Sequence, residues 1–113
     1  MRRYHPETFV HYLNQYQITE TALVNPIVFN LLLPQVDRKL LAPLRFAWVA
    51  GAPLEASVQN QLSDKLHKNA ILCQVWGLTE VGWITTFHYP EKDITGSVGR
   101  LLPNVEARSV TLI

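Results

Sequence analysis

Two long apolar runs, at 44–50 (LRFAWVA, with one charge, Arg45, near its start) and 70–76 (AILCQVW, with Gln74 its one polar residue), constrain this chain more than any other feature. Each is stopped by a glycine, Gly51 and Gly77, and one amphipathic stretch separates them. Runs of this length without polar alternation read as strands covered on both faces, as strands are in parallel sheets flanked by helices. Residues 55–68 between them read as a helix, with Val58, Leu62 and Leu66 at i, i+4 and i+8 and with Gln59, Asn60, Asp64 and Lys65 facing away. Glu55 in the first turn and Lys65, His67 and Lys68 in the last suit the helix dipole.

The segments before this unit extend the alternation. Pro6 suits a first helical turn, and Phe9, Val10, Leu13 and Tyr16 recur on one helical face. Residues 17–23 end that helix and enter a short strand. Asn25-Pro26 reads as a cap followed by a first-turn proline, opening a short helix whose apolar run at 27–33 is expected to be buried. Pro34 and Pro43 bracket a turn-rich connection, and Trp48 is expected in the core. After Glu80 the chain reads as irregular, with Gly96 and Gly99 flanking a turn before a last strand-like stretch from Val105. Helix and strand in alternation predict an α/β fold, a partial parallel sheet with flanking helices. Ligands of such sheets bind beyond the carboxyl ends of the strands. Gly51-Ala52-Pro53 and Gly77-Leu78-Thr79-Glu80 both occupy that position, and so are expected side by side.

Composition narrows the classes of partner. A net charge of +1, with basic residues clustered only as the pairs Arg2-Arg3 and Arg38-Lys39, argues against nucleic-acid binding. No apolar stretch reaches the length of a membrane span, and no signal peptide is visible, so a cytoplasmic setting is expected. Cys73, the single cysteine, excludes an intrachain disulfide and reads as a small core thiol rather than a nucleophile. The four histidines, His5, His11, His67 and His88, lack metal-ligand spacing, and Glu91 and Asp93 read as solvated loop charges.

The segment 74–80, Gln74-Val75-Trp76-Gly77-Leu78-Thr79-Glu80, holds the parts a nucleotide site needs. Trp76 offers a flat face on which a purine can stack. Gly77 allows a tight turn and a close approach to a ligand. The Thr79 hydroxyl can donate to a phosphate oxygen, and Glu80 is a hard carboxylate of the kind Mg²⁺ accepts alongside substrate phosphates. The same segment also fits a capped turn, with Thr79 as a helix N-cap and Trp76 in the core.

The wider sequence resembles the adenylate-forming superfamily of acyl- and aryl-CoA ligases, luciferases and peptide-synthetase adenylation domains. Trp76-Gly77-Leu78-Thr79-Glu80 is similar to its aromatic-Gly-x-Thr-Glu loop, and Ala50-Gly51-Ala52-Pro53-Leu54 to its upstream Gly-Gly-Ala-Pro-Leu loop. Gly96-Ser97-Val98-Gly99 with Leu102-Pro103-Asn104 resembles the downstream Gly-x-x-Gly and proline segment. Tyr16-Gln17-Ile18-Thr19 and Asn25-Pro26-Ile27 resemble the region that comes before. The resemblance runs from about Tyr4 to Arg108 and leans towards the acyl- and coumarate-CoA-ligase branch, since peptide-synthetase domains usually carry Pro after the Gly. It implies an enzyme with ATP/AMP, Mg²⁺, a carboxylic acid and CoA as its small-molecule partners. It assigns Gly51, Ala52, Pro53, Gln74, Trp76, Gly77 and Thr79 to the nucleotide, Thr79 and Glu80 to catalysis, Glu80 to the metal, and Val75, Trp83 and Ile84 to the acid pocket. Val75 stands where many ligases have Gly, and Trp83 where many have a smaller residue, so a narrowed or reshaped pocket is expected.

Departures qualify what one chain of 113 residues can do. Ala50 replaces the first Gly of the usual pair. No Ser/Thr/Gly-rich phosphate loop precedes these motifs. No ribose-binding Asp, hinge or lysine-bearing C-terminal domain follows them, and Lys65, Lys68 and Lys92 stand in the wrong context for the catalytic lysine. Residues 1–113 are therefore expected to form a partial AMP-binding (adenylation) domain. The alternative is a non-catalytic truncated α/β module with residual adenine-nucleotide or protein binding.

Overall fold

Helix α1 (Pro6–Gln15) begins at its proline, as the sequence predicts, and buries Val10 and Leu13. Tyr16, expected on the same face, is instead the C-cap and is exposed, because the chain leaves the helix there through Gln17, which adopts the left-handed region at φ 51°. The computed structural model describes residues 2–112. Strand β1 (Glu20–Leu23) leads to helix α2 (Asn25–Leu31). Asn25 lies inside that helix rather than capping it, and extended Val24 takes the cap position without a side-chain bond. The Asn25 side chain is drawn elsewhere: its Nδ2 donates to the Pro53 carbonyl at 2.9 Å. The run 27–33 is buried on one side only; Val28 and Leu31 are covered, while Phe29 and Leu33 are exposed. A short 3-10 turn, Arg38–Leu41, capped by the Asp37 carboxylate, connects to β2 (Phe46–Val49).

Helix α3 (Ala56–Lys65) joins β2 to β3 (Ile71–Gln74). The three strands form a parallel sheet in the order β1-β2-β3, with Glu20 opposite Phe46 and Phe46 opposite Ile71. The α/β architecture expected from the two apolar runs is the one observed. Residues of all three helices, Val10, Leu13, Val28, Leu31 and Leu62, share one core with Leu23, Ala47, Val49 and Leu72 of the sheet. Packing on that face leaves the opposite face of β2 half-open, so β2 is not covered on both sides. Trp48 there is half-buried rather than core, edge-on to Phe46 at 4.8 Å and to Trp83 at 5.7 Å between ring centroids.

Beyond β3 the chain is more regular than its sequence predicts. Strands β4 (Trp76–Leu78), β5 (Gly82–Thr86) and β6 (Arg100–Leu101) form a second, antiparallel sheet. The stretch from Val105 is not a strand. Its N–H closes a turn on the Leu102 carbonyl at 3.2 Å, with Asn104 at φ 62°.

Candidate functional site

β3 passes into β4 through Val75 alone, whose N–H is held by the Val49 carbonyl at 3.0 Å. β4 and β5 then make a hairpin whose turn carries Thr79 and Glu80, closed by the Val81 N–H on the Leu78 carbonyl at 3.1 Å. Both residues are exposed. Thr79 is therefore not a helix cap, and Trp76, 43% exposed, is not a core residue. Gly77 is required for a reason the sequence does not display. A Cβ there would lie 2.6 Å from the Gly82 carbonyl oxygen, so glycine permits the cross-strand approach at the bulge between Trp76 and Gly77.

The loop after β2 turns at Gly51, whose φ of 98° favours glycine. It is gripped from two sides. Asn25 holds the Pro53 carbonyl, and the Gln74 side chain brackets Leu54, with Oε1 accepting its N–H at 2.9 Å and Nε2 donating to its carbonyl at 2.7 Å. This brings the two predicted loops together. A cleft of about 310 Å³ lies between Gly51, Ala52 and Pro53 on one side and Trp76 and Gly77 on the other, with Val98 also lining it. A second cleft of about 340 Å³ shares Gly51, Val75 and Gly77 and is bounded by Thr79, Gly82 and Trp83. Of the residues assigned to an acid pocket, Val75 and Trp83 line this second cleft. Ile84 lines neither: it is buried beneath β5, because its side chain falls on the strand face opposite to Trp83. The Gln74 amide, expected to face a base, is already bonded inside the protein, to Leu54, to Gln59 Oε1 at 2.9 Å and to the Gly96 carbonyl at 3.3 Å.

Two participants escape the sequence reading. Gln59, expected to face solvent, is fully buried, and Asp93, expected to be a solvated charge, accepts from Gln59, Thr95 and Gly96. Burial pushes the Asp93 carboxyl up. Bonds from the Thr95 hydroxyl and N–H, Gln59 and the Gly96 N–H outweigh it and hold the group below the ordinary carboxylate range. The available signals were the i, i+3, i+7 spacing of Gln59, Leu62 and Leu66, which places Gln59 on the core face, and the turn-forming Asp-Ile-Thr-Gly sequence.

Among the described residues no three His, Cys, Asp or Glu side chains gather to hold a metal. Glu80 stands as one exposed carboxylate next to Thr79. That arrangement fits a Mg²⁺ ion drawing its other ligands from water and bound phosphate. Lys65 donates to the Leu31 and Leu33 carbonyls and Lys92 to the Lys68 carbonyl, so both ammonium groups serve structural bonds. A depression of about 740 Å³ lies between α1 and α2 against His5, Glu7, His11 and Asn30 and includes none of the predicted site residues. No helix among the described residues is long and apolar enough to cross a membrane.

Residues 1–111 match the family described as AMP-binding enzyme. The chain is 38% identical over 112 residues to the acyl-CoA synthetase ACTT5 of Alternaria alternata, a match covering 97% of this chain and 19% of that protein. It is 37% identical over 115 residues to the phenylacetyl-CoA ligase epaB of Aspergillus niger, covering 97% of this chain and 21% of that protein. Thus it spans about a fifth of the length of the curated relatives it matches. Among solved structures, ATP-bound MatB from Rhodopseudomonas palustris superposes with a TM-score of 0.76 at 22% identity, over 91% of this chain and 20% of that one, a likeness of fold.

Proposed function

Because the chain belongs to the AMP-binding enzyme family, we propose that it supplies the adenine-facing side of the nucleotide site in an ATP-dependent carboxylate–CoA ligase. The observation that carries this reading is the single cleft between Gly51-Ala52-Pro53 and Trp76, with Thr79 and Glu80 on the adjoining hairpin turn. Trp76 takes the adenine on its exposed face, and the 51–53 loop closes the other side. Gln74 and Gly77 contribute main chain to the wall, and Gln74 uses its side chain to hold the loop. Thr79 donates its hydroxyl to an α-phosphate oxygen, and Glu80 binds the Mg²⁺ that offsets charge on the phosphates. In the overall reaction a carboxylate oxygen bonds to the α-phosphorus as the bond to pyrophosphate breaks. The CoA sulfur then bonds to the acyl carbon, its proton is lost, and AMP leaves. Val75 and Trp83 border the acid in the second cleft, with Ile84 supporting them from behind. CoA ligases among the relatives support this substrate class. We assign the triphosphate grip and the catalytic lysine to the part of the relatives' length that this chain does not span, which makes residues 1–113 a partial adenylation domain.

The test is titration of the chain with AMP. Binding is expected, and Trp76→Ala should weaken it about tenfold, in keeping with the ~1–3 kcal/mol that base–aromatic stacking contributes. Absence of AMP binding by the parent chain would overturn the reading. Pyrophosphate release from ATP and Mg²⁺ with a panel of carboxylic acids, lost in Glu80→Ala, would extend it to catalysis. AMP binding without release would instead favour a non-catalytic nucleotide-binding module.

A further inference from the structure

The adenine cleft is walled by three segments distant in sequence: the 51–54 loop, the β3–β4 junction, and the stretch carrying Gly96 and Val98. One closed ring of hydrogen bonds ties them. Gln74 Nε2 donates to the Gly96 carbonyl at 3.3 Å, and the Gly96 N–H donates to Asp93 Oδ2 at 2.8 Å. Gln59 Nε2 donates to the same Asp93 oxygen at 3.3 Å and to the Asp93 carbonyl at 3.0 Å. Gln59 Oε1 accepts from Gln74 at 2.9 Å, which closes the circuit. Gln74 alone would not fix its own orientation, since its Nε2 is shared among three acceptors. Gln59 anchors that amide from α3, and Asp93 anchors Gln59.

Gln59 is wholly buried, one turn before buried Leu62 on the inward face of α3. Set against an apolar residue at the same place, a bonded buried amide gains little net stability, although removing it alone leaves Gln74 and Asp93 each short of a bond. What it does provide is direction: a satisfied buried network selects one arrangement of the segments it joins.

We propose that Gln59 and Asp93 are positioning residues for nucleotide binding, setting the separation between the 51–54 loop and the Gly96–Val98 wall through Gln74. This rests on the reading of the cleft as the adenine site. The decisive variant is Gln59→Met, which keeps volume and apolar packing but removes both ends of the link. The intact 113-residue chain is used throughout, with AMP as the probe. The expected result is an AMP Kd raised about tenfold and faster amide exchange at Leu54 and Gly96. The unfolding temperature should fall modestly, because Gln74 and Asp93 each lose a partner, and exchange at Val28 and Leu62 should change only as far as that fall in stability requires. A merely structural role would produce the same fall in unfolding temperature and leave the Kd of the folded fraction alone. If Gln59→Met fails to fold, Asp93→Ala removes the accepting oxygen of the ring at a half-exposed position and is expected to raise the Kd in the same way. Parent-like AMP affinity in the folded variant, with Trp76→Ala still impaired, would overturn this inference and leave the adenine site standing. A parent chain that binds no AMP would overturn both.

Discussion

Cys73 sits on β3 with no exposed surface, and burial, with the nearby Asp93 charge, pushes its thiol up to about 11. A raised acid favours the folded state while it stays protonated. The contribution is therefore complete below the unfolded value of 9.0 and is lost as pH rises from there through about 11. Urea unfolding at pH 8 and at pH 10.5 is expected to show a lower midpoint at the higher pH. Cys73→Ala should show a smaller difference between the two. An equal drop in both chains would place the effect on other groups. Cys73 was legible as a core thiol because a small apolar side chain inside an apolar run has few other fates. The exposure of Trp76 and Glu80 was legible from the loop they occupy. Ile84 and Gln59 were not. Which face of β5 or α3 meets the protein depends on register and rotation: a one-residue error reverses a strand's faces and turns a helix by about 100°.

Lys65 shows the same effect at the scale of an element. Read as solvent-facing on α3, it reaches across to α2, where its ammonium group accepts nothing and donates to the Leu31 and Leu33 carbonyls at 2.7 and 3.0 Å. These carbonyls lie at and just beyond the helix C-terminus, where backbone acceptors lack intrahelical partners and a cation is favoured. Lys65→Met keeps the aliphatic stem and removes the cap, so a loss of about 1 kcal/mol is expected. It should be read by chemical denaturation, with amide exchange in α2 accelerating more than in α1. Uniform acceleration would mean that Lys65 supports the core generally. Helices α1 and α3 were legible from periodicity, α2 from its proline and apolar run, β2 and β3 from apolar run length, and β1 only as the segment that follows the end of α1. The β4–β5 hairpin was missed because its strands are short and interrupted by Gly77 and Gly82, residues that normally mark strand breaks. Here Gly77 permits cross-strand proximity, a role visible only once the partner strand is in place.

For the molecule as a whole, the asymmetry of the sheet matters most. Helices cover one face, and the other carries Phe46, Trp48, Trp83 and Tyr89, with Trp83 and Tyr89 exposed. Both outer strands of the parallel sheet also have an edge unpaired within it. Such surfaces drive association. Sedimentation of the chain is expected to show concentration-dependent self-association, reduced by the double change Trp83→Ser and Tyr89→Ser. A monodisperse parent chain would contradict this. The sequence by itself determined the α/β class, the adjacency of the 51–53 and 74–80 loops, and the family. Apolar periodicity, glycine breaks and short motifs are local, and strand–helix–strand order leaves those loops little choice but the same sheet end. Only the tertiary structure decided what holds the loops in place. The ring through Gln59, Gln74, Asp93 and Gly96 joins residues up to 37 positions apart, and hydrogen bonds between such partners have no local signature.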